Sequence, residues 1–223
     1  MSRLHQSVLG IASLLAVVAP AAAATVGFES IAVGTQYGTP TGHAPGDFAL
    51  SEAGVDMTVE NFFSGAFVGF NVAEISAHPG PPQSFFPPSV NSSHALTTNN
   101  ISGRFDFSGL GYDVRRLSVH YADAGGTNNF DVNGLGLQQV VDLTTLASYP
   151  NYNVSVTAIP MGGGVYGQID VEAAPGHRIK TLTLGGQEIS FDNLRAVPEP
   201  AAAALATLCM AAVGVTRRRS RSL

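Results

Sequence analysis

The chain has 223 residues, enough for one domain with processing segments and short of two full domains. Only 12% of them are charged, glycine and proline number 25 and 13, and Cys209 is the single cysteine. That balance suits a turn-rich all-β protein and excludes internal disulfides and a thiol nucleophile in the globular part. The formal charge of −5 is unevenly spread: residues 25–200 hold six basic and sixteen acidic side chains, while Arg3 and four arginines near the end are basic. So acidic a body offers no patch for nucleic acid or for an anionic lipid surface.

The first 24 residues read as a secretory signal peptide, an N-terminal helix removed by signal peptidase. Arg3 supplies the basic n-region, an apolar stretch follows over 8–19, and small residues flank a cleavage point. With Ala22 and Ala24 at the two small positions, the cut is placed after Ala24, with Ala23 the neighbouring alternative. The apolar stretch is twelve residues long, too short to span a bilayer of about 30 Å.

From 25 to 196 no helical period of useful length occurs. Short alternating runs are broken by Gly, Asn, Asp and Pro, which predicts an antiparallel β-sandwich of ten or eleven strands, jelly-roll-like in form. Residues 77–94, AHPGPPQSFFPPSVNSSH, are too rich in proline for a central strand and predict a long exposed loop. In RFDFSG, Phe105 and Phe107 share a face. Leu117, Val119 and Tyr121 alternate inward against Ser118 and His120. Asn133-Gly134 predicts a type I′ hairpin, because both positions take positive φ. NFDVNG at 129–134 matches only the first half of an EF-hand loop and fits a hairpin better. Tyr152, Val154 and Val156 share a face, as do Val165, Ile169 and Val171, with a junction at Gly162–Gly164 between the two runs. Gly185-Gly186 predicts a further hairpin joining RIKTLTL to QEISFDNL.

Chemistry-bearing motifs are sparse. Six histidines are scattered without metal-ligand spacing, and no nucleophile elbow, phosphate loop or dinucleotide fingerprint is present. A non-catalytic body is therefore expected. Phe85 and Phe86, with Tyr37 and Tyr112, are candidate glycan contacts, since loop aromatics stack on sugar faces; the alternative is that the Phe pair covers a core edge.

VGFES near the start and ISFDNLRAV near the end resemble the first and last strands of lectin-like and carbohydrate-binding jelly rolls. That likeness implies neighbouring strands, with Glu29 and Asp192 as ligands of a structural calcium helped by carbonyls near Gly34 and Thr35. The alternative is that Asp192 caps its strand and Glu29 is solvated.

The chain closes with Val197-Pro198-Glu199-Pro200, a fifteen-residue apolar run over 201–215, and the cluster Arg217, Arg218, Arg219 and Arg221. As a helix the run is about 22 Å long, short of a permanent anchor, and its uniform apolarity suits no face of a small domain. The two prolines hold the motif extended and stop the helix from growing backwards. Such a motif stands clear of the body as an unstructured handle whose Glu199 a receptor can grip. Pro-Glu-Pro, an apolar helix and a terminal arginine cluster, in that order, resemble the PEP-CTERM sorting signal of exported bacterial proteins. The resemblance covers 197–221 and implies an exosortase-type membrane transpeptidase as partner. It further implies transient attachment to the inner membrane and delivery to the envelope, outer surface or extracellular matrix of a Gram-negative-type cell, in association with exopolysaccharide. Carbohydrate binding is the alternative role for the body, and glycan hydrolysis a more distant one.

Overall fold

The computed structural model describes residues 22–77 and 94–199. The expected signal helix, the aromatic pair Phe85 and Phe86, Pro200, the C-terminal apolar helix and Arg217, Arg218, Arg219 and Arg221 lie outside the described residues.

Sixteen strands run through the described residues. They begin with β1 (Ala24–Val26), β2 (Gln36–Gly38), β3 (Phe48–Glu52), β4 (Val55–Glu60), β5 (Phe62–Ser64) and β6 (Phe67–Gly69). β7 (Val72–Ala77), β8 (His94–Asn99), β9 (Ile101–Asp106), β10 (Val114–Asp123) and β11 (Asn128–Val132) come next. The last are β12 (Gln138–Val140), β13 (Tyr152–Met161), β14 (Gly164–Ala173), β15 (Thr181–Gly186) and β16 (Ile189–Pro198). Eleven of them have five residues or more, which are the ones that periodicity detects. Three-residue strands are too short to show an alternation.

Two antiparallel sheets carry the fold. The larger has eight strands in the order β13-β14-β10-β16-β8-β7-β2, with β1 also paired to β16; the smaller has six, β12-β11-β15-β9-β4-β3. Their inward side chains form one buried cluster, which joins Leu117, Val119, Tyr121, Ile169 and Val171 of the larger sheet to Val55, Met57, Val59, Phe105 and Leu182 of the smaller. The alternations expected for these runs are the ones observed. β5 and β6 make a separate hairpin, clamped to β11 where Asn129 accepts from the Phe63 amide at 2.8 Å and donates to its carbonyl at 2.7 Å.

Three turn expectations have different outcomes. Asn133 and Gly134 adopt φ of 58° and 70°, and the Leu135 amide closes the turn onto the Val132 carbonyl at 3.1 Å. The first β11–β12 register pair is Phe130 with Gln138, so this turn sits inside a wider loop. Gly162-Gly163 makes the tight β13–β14 connection, with Met161 opposite Gly164.

Gly185-Gly186 is not a hairpin. β15 pairs with β9 and β11 in the smaller sheet, whereas β16 lies in the larger, so the chain crosses between sheets here. The glycines answer a packing need: a Cβ on Gly185 would collide with the Ile101 carbonyl and Ser102 backbone, and one on Gly186 would meet Asn128 Oδ1 at 2.5 Å.

β7 and β8 pair antiparallel with Ala77 opposite His94. Ala77 and His94, the ends of the expected loop, are thus strand residues, and 78–93 lie outside the described residues.

Candidate functional site

β1 and β16 lie side by side, Ala24 opposite Ala196 and Val26 opposite Leu194, as the likeness of the two terminal motifs implied. β10 occupies the other edge of β16. The start and the end of the body therefore meet over one short segment, Tyr112 to Arg115.

Tyr112 joins them directly. Its hydroxyl accepts from the Ala24 amide at 2.9 Å and donates to the Ala196 carbonyl at 3.0 Å. It is a tie between termini, and Tyr37, 6% exposed, is a core residue and not the loop aromatic the sequence suggested.

The segment expected to act as a sorting motif begins inside the fold. Val197 pairs with Arg116 and Pro198 with Val114 as the last residues of β16, and the Glu199 amide donates to the Asp113 carbonyl at 3.3 Å. Pro198 offers no amide, and the Val114 carbonyl accepts instead from Ile179 at 2.9 Å, so the ladder absorbs the proline at its end. Glu199 accepts from Arg115 Nη1 at 2.8 Å, while Arg115 Nη2 donates to the Ala173 carbonyl at 3.0 Å. The Arg115 side chain is 12% exposed and that of Glu199 62%: a nearly buried cation holds an outward carboxylate. The expectation of a free handle is thereby corrected for Val197, Pro198 and Glu199, and the body extends to Glu199 where 196 was expected. Alternation and proline content locate the motif but carry no sign of its partner on β10.

Beside this junction, Asp113 accepts from Arg178 at 2.7 Å. Tyr112, Asp113 and Val114 line an open cleft of about 660 Å³ together with Arg178 and Lys180.

The two expected calcium ligands have other partners. Glu29 is half exposed and accepts from the His94 amide at 3.1 Å. Asp192 is fully buried and accepts from the Asn193 amide and side chain. Gly34 and Thr35 use their backbones on β7, where the Thr35 carbonyl accepts from Ile75 at 2.9 Å. Among the described residues no group of three or more His, Cys, Asp or Glu is placed to hold a metal ion. The carboxylate that organises the VGFES turn is Glu52, which the sequence did not single out. It accepts from the amides of Gly27, Phe28 and Ser30 and from the Ser30 hydroxyl, at 2.6 to 3.2 Å. Those bonds fix Phe28 at a φ of 63° with its ring buried, a backbone state that costs a non-glycine residue about 1 kcal/mol or more.

Asn193 and Leu194, facing Val119 alone on β10, form a bulge at the point where β16 exchanges β8 for β1 along its other edge. Opposite Asp192 lies His120, whose Nδ1 is 2.7 Å from the Tyr166 hydroxyl. Burial lowers the His120 pKa against a smaller opposing effect of Asp170. Burial raises that of Tyr166, and the charge of Asp192 adds to it. Both shifts favour a neutral imidazole beside a neutral phenol.

The outward face of the larger sheet is polar in register. Asn153, Glu172 and Arg116 make one row, Ser155, Asp170, Ser118 and Arg195 the next, and Thr157, Gln168 and His120 the third. A shallow cleft of about 260 Å³ opens among Arg116, Asn153, Ser155, Asp170 and Glu172.

No family model, curated protein or solved structure matches the chain. Among the described residues no helix is long and apolar enough to cross a membrane.

Proposed function

We propose that this chain is an exported surface or matrix protein whose C-terminal segment is a sorting signal processed by an exosortase-type transpeptidase. Its body serves as a non-catalytic component associated with exopolysaccharide. The observation that carries the reading is a coincidence of boundaries. The folded unit spans Ala22–Glu199, and the PEP-CTERM-like apolar run with its arginines starts two residues later. On this reading the body is a jelly-roll-like sandwich with its first and last strands adjacent, released to the surface once the tail has been handled. The arginines stop translocation and keep the tail end cytoplasmic.

Deleting residues 201–223 tests this in the native cell. The full chain should be found shortened and attached at the surface, and the deletion variant released to the medium. Identical location and an uncut full chain would overturn the reading.

Carbohydrate binding by the body is the second reading, favoured by the polar face around Asp170 and Arg116. Alternating amides, hydroxyls and charges on the sheet face match the donors and acceptors of a saccharide chain. On this reading the glycan lies along the outward face of the larger sheet. Electrophoretic retardation in the cell's own polysaccharide should be lost in an Asp170→Ala, Arg116→Ala double variant; equal retardation would exclude that face.

A further inference from the structure

We infer that the processed protein keeps Val197, Pro198 and Glu199, so that the sorting cut falls on the C-terminal side of Glu199. This rests on the sorting reading and adds to it a position fixed by the fold.

The argument begins with Arg115. Its guanidinium is almost enclosed by the domain, with Nη2 spent on the Ala173 carbonyl and Nη1 on Glu199. Its Nε is buried without a hydrogen-bond partner. A cut before Val197 would remove the carboxylate and leave a buried cation with one carbonyl for company, an arrangement that proteins avoid because an unpaired buried charge is costly. The same cut would strip β10 of its pairings with Val197 and Pro198, and the Asp113 carbonyl of its donor. Val114, 2% exposed, would lose its cross-strand neighbour.

A cut beyond Glu199 disturbs none of this. The sequence marks the same point, since Pro200 disfavours helical backbone at Glu199 and keeps the chain extended where it leaves the sheet. Chemically the step is an acyl transfer. One backbone amide C-terminal to Glu199 breaks, its carbonyl carbon passes to water or to a primary amine of the cell surface, and its nitrogen leaves with a proton as the new amino terminus of the apolar segment. If the cut falls directly after Glu199 and water is the acceptor, a second carboxylate is created beside Arg115. The folded body thus keeps the Pro-Glu part of the signal as structure and gives up only the residues beyond it.

The C-terminal peptide of the surface protein decides the matter. Trypsin cuts after Arg195, and no further Lys or Arg occurs until Arg217, so denatured mature protein yields a terminal peptide beginning at Ala196. Tandem mass spectrometry of the full chain purified from its own cell surface should find Ala-Val-Pro-Glu in that peptide, ending at Glu199 or a few residues beyond, with or without an added amine mass. A chain ending at or before Pro198 would overturn the inference and leave sorting intact. A peptide running unbroken to Arg217 would overturn sorting itself, and the inference with it.

Discussion

The two ends of the body pair with each other and share Tyr112, yet they are fastened differently. At the start, β1 is paired to β16, Phe28 is buried, and Glu52 gathers three amides and a hydroxyl. At the finish, Val197 and Pro198 are half-buried and Glu199 is held by one ion pair and one long backbone hydrogen bond. The start is locked, and the finish is held by fewer bonds. On the sorting reading a terminus that meets a processing enzyme gains from light fastening, because local opening of a few residues costs far less than global unfolding.

Four substitutions or titrations test that contrast. Glu52→Ala should have the largest effect: it orphans the amides of Gly27, Phe28 and Ser30 and releases the constrained Phe28 backbone, for a loss of about 3 kcal/mol in urea unfolding. Tyr112→Phe removes the hydroxyl that serves both ends, and a loss of about 1 kcal/mol is expected. In a chain that retains Ala24, faster exchange of the Ala24 amide should accompany it.

Arg115→Ala should cost about 1 kcal/mol, since the exposed Glu199 is partly compensated by water. Its signature is local: the Glu199 amide should exchange faster while Val26 and Phe28 keep their protection. Equal loosening of both ends would break the contrast.

The smallest effect concerns the bulge between the two fastened halves of β16. The His120 pKa is lowered in the folded state, so its contribution to stability is complete above the unfolded value of 6.5 and is lost as the pH falls through the folded value. Wild type should therefore lose melting temperature relative to His120→Gln between pH 7.5 and 5.5. Asp123 and Asp131, whose carboxyls burial pushes up, act in the opposite direction. They are common to both proteins and cancel in the difference.

Much of this architecture was legible because burial is written locally. The inward faces of β10, β13 and β14 come from alternation alone, and the neighbouring of Thr25 and Arg195 from motif likeness. Partner choice over distance left no such trace. Glu52 acts on Phe28 from 24 positions away and Arg115 on Glu199 from 84, and neither pairing has a period or a spacing rule. Gly185-Gly186 misled for a related reason: a glycine pair at a turn and one beneath a crossing backbone are the same two letters. The prolines of the motif do enforce extended chain, but extension also suits the last residues of an edge-tolerant strand.

Intact mass of the protein isolated from its native surface tests the central claim most directly, because it reports both ends together. Loss of about 24 residues from the front, the length of a signal peptide, together with loss of the arginine cluster from the back, is the predicted result. A full-length chain of 23.0 kDa recovered from that surface would contradict it.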